Sequence, residues 1–182
     1  MPAASAKRVS LETKAGVIHS CVGKNSVKIK LTDPQDIKLN IPVKVSGRLL
    51  RVNFLNTGVP HAVVFVQGID KINVGEIGRS IRYHKEFSPK GTNVNFVEVE
   101  GRNSIRIRTY ERGVEDETLA CGTGSTAAAL IFSLMNNSNK LVRVKTQSGE
   151  VLNVYFEREK DKFNNVWLEG MAKIVYKGEY NV

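Results

Sequence analysis

With 182 residues, 41% of them hydrophobic and 25% charged, the chain has the composition of a globular protein able to bury a core in one domain or two small ones. No run of about 18 apolar residues is present to cross a membrane as a helix, and the opening MPAASAKRVS lacks the apolar segment of a secretory signal, so a cytoplasmic location and no membrane partner are expected. The formal charge of +9 raises nucleic-acid binding, but Lys28-Ile29-Lys30 and Arg106-Ile107-Arg108 alternate with apolar residues as on the wet face of a strand. No aromatic platform or nucleic-acid motif accompanies them, and no nucleic-acid partner is expected.

In chain order, residues 1–8 read as a flexible tail. Period-2 alternation then predicts strands at 26–32, 42–45, 49–56, 61–66, 93–100, 104–110, 141–146, 151–157, 166–169 and 172–176. Turn residues bound them, among them Asp33-Pro34, Ser46-Gly47, Gly58, Gly101, Ser148-Gly149 and Asn164-Asn165. Several neighbours look like hairpins, so the sheet should be antiparallel or mixed. Between strands, Val74, Ile77 and Ile81 have helical spacing and predict a surface helix over 74–84. Residues 124–135 carry no charge at all, and a helix apolar all round is a buried one. It should stop at Asn136-Asn137-Ser138. The fold class is therefore α+β, a mixed or antiparallel sheet wrapped around a central buried helix, without repeats or low-complexity segments.

Chemistry concentrates on Cys121. The two cysteines, Cys21 and Cys121, make no disulfide framework and lie in no CxxC or Cys/His metal spacing. Cys121 precedes the buried helix, whose first turn leaves N–H groups unpaired, here on Gly122 to Ser125. Such a turn holds a carboxylate or phosphate, and the same helix end should lower the cysteine pKa. Taken alone, a cysteine beside glycines reads as packing at least as readily, and Gly-Thr-Gly without a following Lys is not a Walker-type loop.

A longer pattern carries more. Glu111-Arg112-Gly113-Val114-Glu115-Asp116-Glu117-Thr118-Leu119-Ala120-Cys121-Gly122-Thr123-Gly124 resembles the second cysteine motif of diaminopimelate epimerases. Gly58-Val59-Pro60-His61-Ala62-Val63 and Thr92-Asn93-Val94-Asn95-Phe96-Val97 resemble two further segments of that family, in the right order. Thr13-Lys14-Ala15-Gly16 is similar to its mid-chain strand, and Val175-Tyr176-Lys177-Gly178-Glu179 to its C-terminal end. The resemblance implies interconversion of LL- and meso-diaminopimelate, a step towards lysine and peptidoglycan, with no cofactor: neither pyridoxal phosphate nor metal. One thiolate removes the α-proton and a second thiol delivers one to the opposite face, because inversion needs an acid–base group on each side. By position, the resemblance makes Cys121 one of these thiols, and Gly122 and Thr123 donors to the α-carboxylate of a small-molecule amino-acid substrate. Asn93 and Arg112 would read its distal end, Arg112 through a bidentate contact. Glu111 would accept from a substrate ammonium and, with His61, influence the thiol pKa. Outside the pattern, Asn93 reads as a turn cap, Glu111–Arg112 as a surface pair, and His61 as a core histidine.

Two departures qualify the match. Val59 stands where many members have Asn, and the family's first cysteine turn, of Cys-Gly-Asn-Gly type, is absent. Cys21 follows the Thr-Lys-Ala-Gly segment and no helix pattern follows it, so it reads as structural. The expected division is a tail (1–8), a remnant of an N-terminal epimerase domain (9–41), a complete C-terminal domain (42–171) and a terminal strand returning to the N-terminal domain (172–182). Unpaired edges near 26–32 and 172–176 should promote a homodimer or other association. Three readings stay open: one half of a diaminopimelate epimerase, a related racemase or isomerase, and a half-site that binds an amino-acid carboxylate without turnover.

Overall fold

The computed structural model describes residues 7–14, 16–138 and 140–180. The strands are β1 (Lys7–Thr13), β2 (Gly16–Val22), β3 (Ser26–Lys30), β4 (Gln35–Val45), β5 (Arg48–Asn56), β6 (Pro60–Phe65), β7 (Asn93–Gly101), β8 (Ser104–Glu111), β9 (Asp116–Thr118), β10 (Leu141–Lys145), β11 (Val151–Glu159) and β12 (Lys162–Met171). Among the described residues two α-helices interrupt them, α1 (Val74–Arg82) and α2 (Gly122–Asn136). All strands join one sheet in the order β1-β2-β3-β12-β11-β10-β8-β7-β6-β5-β4, with β9 attached to β8. The pairs β6/β7 and β8/β10 are parallel and the others antiparallel.

The core explains the sequence pattern. Helix α2 is buried from Gly124 to Ser133 and packs with Val63, Val97, Ile107, Val144 and Val154. On the other side of the central strands, Ala62, Val64, Val94 and Phe96 pack with Ile81 and Val74 of α1. Successive residues of β6 thus enter opposite clusters, which is why its run from Ala62 to Phe65 is continuously apolar rather than alternating. Helix α2 stops at Asn137, which adopts a left-handed conformation with φ 54, a backbone region Asn tolerates better than most residues.

Several expectations need correction. Lys7 and Arg8 belong to β1, paired with Val22 and Cys21, not to a tail; residues 1–6 lie outside the described residues. The boundary at 41/42 falls inside β4, and β3 hydrogen-bonds directly to β12, so the remnant and the larger domain share one continuous sheet. The strand expected at 172–176 is not formed: Ile174, Val175 and Tyr176 are exposed at 81%, 84% and 83%. The segment continues β12 past the end of its neighbour: Met171 pairs with Ser26, the first residue of β3, and the ladder closes where the Ala172 N–H donates to the Asn25 carbonyl at 3.1 Å. Strand β3, flanked by β2 and β12, is no edge; β1 and β4 are. Strands β1 and β2 escape the alternation rule because nearly every residue of β1, and the first half of β2, faces solvent.

Candidate functional site

Cys121 is the N-cap of α2, in extended conformation, and its carbonyl accepts from the Ser125 N–H at 2.8 Å. Its Sγ lies 3.5 Å from the Thr123 hydroxyl. Burial pushes the Cys121 thiol up; the Thr123 hydroxyl and the Gly124 and Thr123 N–H groups pull it down, and the negative Glu111 pushes it up again. The net direction is upward, which corrects the expectation of a lowered value. A helix end offers partial charges, whereas loss of water acts on the full charge of a thiolate.

The first turn of α2 leaves little space. A Cβ on Gly122 would lie 2.9 Å from Leu168 of β12. A Cβ on Gly124 would lie 2.4 Å from Asn95 Oδ1 and 3.2 Å from Cys121 Sγ. The absence of a side chain at Gly124 therefore lets β7 and the cysteine approach each other.

His61, the second residue of β6, is completely buried. Asn95 Nδ2 lies 3.1 Å from its Nδ1, while Nε2 has no hydrogen-bond partner among the described residues. Burial, then the positive charge of Arg112, lowers its pKa from 6.5 to about 3, so the ring is neutral. Asn93 faces His61 across the parallel β6/β7 pair. Its Oδ1 accepts from the Arg112 backbone N–H at 2.7 Å, so that oxygen holds the turn after β8. Glu111 ends β8 opposite Asp116 of β9, and its carbonyl accepts from the Glu115 N–H. The Glu115 carboxylate accepts from the Gly113 N–H and pairs with Arg82 at 3.1 Å. Arg112 Nη1 donates to the Lys90 carbonyl at 3.3 Å.

The fold thus gathers His61, Asn93, Glu111, Arg112 and Cys121 at the ends of β6, β7 and β8 and the head of α2. Asn95 was quoted in the motif without a role, yet its side chain lies between His61 and the Gly124 turn. The available signal was the period-2 spacing that puts Asn93 and Asn95 on one face of β7. Val59 sits in the turn before β6, its carbonyl accepting from the Thr57 N–H at 3.1 Å.

Cys21 lies elsewhere. It is buried in β2 opposite Lys28 of β3 and lines an open cleft of about 980 Å³ with Arg8, His19, Tyr155 and Trp167. Lys28 Nζ lies 3.5 Å from the Tyr155 ring, and Tyr155 donates to Glu169 at 2.7 Å. A second cleft, of about 520 Å³, reaches the site at Pro60 and Arg112. Among the described residues, no group of three or more His, Cys, Asp or Glu is placed to hold a metal ion. No helix among them is long and apolar enough to cross a membrane.

A family model described as diaminopimelate epimerase matches residues 53–175. The diaminopimelate epimerase of Aquifex aeolicus is 45% identical over 179 residues, covering 94% of this chain and 61% of that protein. That of Hydrogenobaculum sp. is 44% identical, covering 94% and 62%, and that of Chlorobaculum tepidum 44%, covering 86% and 58%. The chain therefore spans about three fifths of the length of these relatives. Among solved structures, a hydroxyproline epimerase from Agrobacterium vitis superposes with a TM-score of 0.71 at 16% identity, over 94% of this chain and 58% of that one. A probable proline racemase from Agrobacterium radiobacter K84 gives 0.69 at 13%, over 97% and 63%. At such identities these two structures establish a shared fold.

Proposed function

Since this chain belongs to the diaminopimelate epimerase family, we propose that it carries one of the two thiols that interconvert LL- and meso-diaminopimelate without a cofactor. The observation that carries the reading is Cys121 at the head of α2, with Thr123 and Gly124 donors on its sulfur and Glu111 close enough to act on its charge. In one direction a thiolate takes the α-proton, the Cα–H electron pair stays as a carbanion, and a thiol on the opposite face returns a proton. Gly122 and Thr123 would hold the α-carboxylate, whose acceptance of charge stabilises the carbanion. Arg112 and Asn93 would bind the distal carboxylate and ammonium, and Glu111 would accept from an ammonium. With its proton retained by burial, Cys121 is suited to the donating role at neutral pH.

Among the described residues the other thiol is Cys21, on β2 and at no helix start. The opposite-face thiol would then come from a second polypeptide or a further segment. That observation favours one alternative, a half-site that binds an amino-acid carboxylate without turnover. A related racemase is disfavoured by Glu111-Arg112 and Asn93, which suit a substrate with a second amino-acid end. A cytoplasmic small-molecule enzyme acting as a homodimer or through strand-edge association fits the same reading.

The test follows α-proton exchange of LL-diaminopimelate in deuterated water. The chain alone should give no turnover, and addition of a polypeptide bearing a Cys-Gly-Asn-Gly turn should restore it, with Cys121→Ala abolishing the gain. Turnover by the chain alone at ordinary enzyme rates, ~1 per second or more, overturns the half-site reading. Binding without exchange in every combination selects the non-catalytic alternative.

A further inference from the structure

We infer that Asn95 is a positioning residue for His61: its carboxamide obliges the imidazole to carry its single proton on Nε2 and ties that ring to the turn bearing Cys121. The inference rests on the reading of His61 and Cys121 as parts of one site.

The hydrogen bonds around Asn95 leave one arrangement. Its Nδ2 lies 3.1 Å from the Ala62 carbonyl oxygen and 3.1 Å from His61 Nδ1, and its Oδ1 lies 3.1 Å from the Thr109 hydroxyl. A carbonyl oxygen can only accept, so the Asn95 atom facing Ala62 is the amide nitrogen. Rotating the carboxamide by half a turn would set two carbonyl oxygens against each other. Of the two amide protons, one goes to Ala62 and the other is left for His61 Nδ1. Nδ1 must then accept, and a neutral imidazole that accepts on Nδ1 is protonated on Nε2. The Thr109 hydroxyl donates to Oδ1 and completes the network.

Nε2, on a fully buried residue, is without a hydrogen-bond partner among the described residues. Buried N–H groups are nearly always paired in folded proteins, so an Nε2–H kept this way is a donor available to an arriving acceptor, such as a substrate carboxylate. Arg112, the charged group acting on the ring, also favours an anion there. The carboxamide has a second contact: its oxygen and the Cys121 sulfur both border the bare Cα of Gly124. One side chain therefore sets the proton position on His61 and fills the space between β7 and the cysteine turn.

The experiment is long-range ¹H–¹⁵N correlation on the full chain labelled at histidine nitrogen, with His61 assigned by loss of its signals in His61→Gln. In the native chain at neutral pH, Nε2 should be protonated and Nδ1 should show the shift of a bare pyridine-type nitrogen. Asn95→Asp replaces the donor by a carboxylate that only accepts, so the proton should move to Nδ1, alone or with Nε2 also protonated. A native ring protonated on Nδ1 overturns the inference, as does an Asn95→Asp ring with Nδ1 still bare. Should Asn95→Asp fail to fold, the native spectrum decides by itself. The expected spectra combined with no epimerisation in any combination would leave this inference standing and remove the epimerase reading instead.

Discussion

At the scale of single residues, His61 and Cys121 are both held in the uncharged form by the same cause. Burial lowers the His61 pKa from 6.5 to about 3. Between those values the unfolded chain binds a proton that the folded chain refuses, so stability rises with pH and falls on acidification. Each pH unit crossed in that window should remove ~1.4 kcal/mol. Thermal melts between pH 6.5 and 5, above most carboxylate titration, should decline, and His61→Gln should lessen the slope by about one proton. An unchanged slope would contradict the buried neutral ring. For Cys121 the raised pKa works in the other direction. The unfolded thiol ionises first, so stability present at neutral pH is lost as pH rises from the unfolded value towards the folded one. Iodoacetamide alkylation of Cys121 followed against pH should show a midpoint above the ordinary ~8.5; a midpoint at or below it would restore the helix end as the dominant influence.

The elements are positioned by contacts closer than helix or strand preference would suggest. Helix α1 begins with a reciprocal cap in which the Asn73 side chain accepts from the Glu76 N–H at 3.2 Å and donates to the Glu76 carboxylate at 3.0 Å. Its buried face is Val74, Gly78 and Ile81. A Cβ on Gly78 would lie 2.5 Å from Tyr110 Cβ and 2.7 Å from Cγ, atoms close to the β8 backbone with little freedom to move. Helix propensity favours Ala over Gly by ~1 kcal/mol, while overpacking a core costs about 1–3 kcal/mol, so packing wins. Gly78→Ala should lower the urea midpoint. Gly75→Ala, one turn earlier with its nearest atom 3.9 Å away, should raise it, through a stability gain of up to ~1 kcal/mol. Equal midpoints would mean that α1 can shift away from β8 at little cost.

Over the whole molecule, α1 and α2 cover opposite faces of the central strands, and the flanks of the sheet remain open. The edge strands are β1 and β4, with Leu11 and Leu39 exposed, and the segment after β12 exposes Ile174, Val175, Tyr176 and Tyr180. Unpaired edges beside apolar surface are sites of association. Sedimentation over a concentration series should show self-association, with hydrophobic-dye binding that falls when residues 172–182 are removed. A dye-silent monomer at all concentrations would show that these flanks are satisfied as they stand.

Legibility followed physical contrast along the chain. The uncharged run that became α2 admits one environment, a buried one, and the half-buried strands β5, β8, β10 and β11 declare themselves by alternation. Strands β1 and β2 carry almost no such contrast, because a strand exposed on both faces has no apolar side to mark it. Residues 172–176 have β-branched and aromatic side chains suited to a strand, but a strand needs a neighbour alongside it, and here the chain has run past β3, whose first residue Ser26 pairs with Met171. The position of Cys121 before a buried helix could be read from sequence, since both belong to one local run. Its proton affinity could not, because the water it loses is excluded by β7, β12 and α2 together. Asn95 makes the same point: the motif and the spacing placed it on the face of Asn93, while its three partners come from β6 and β8 and were brought to it only by the folding of the sheet.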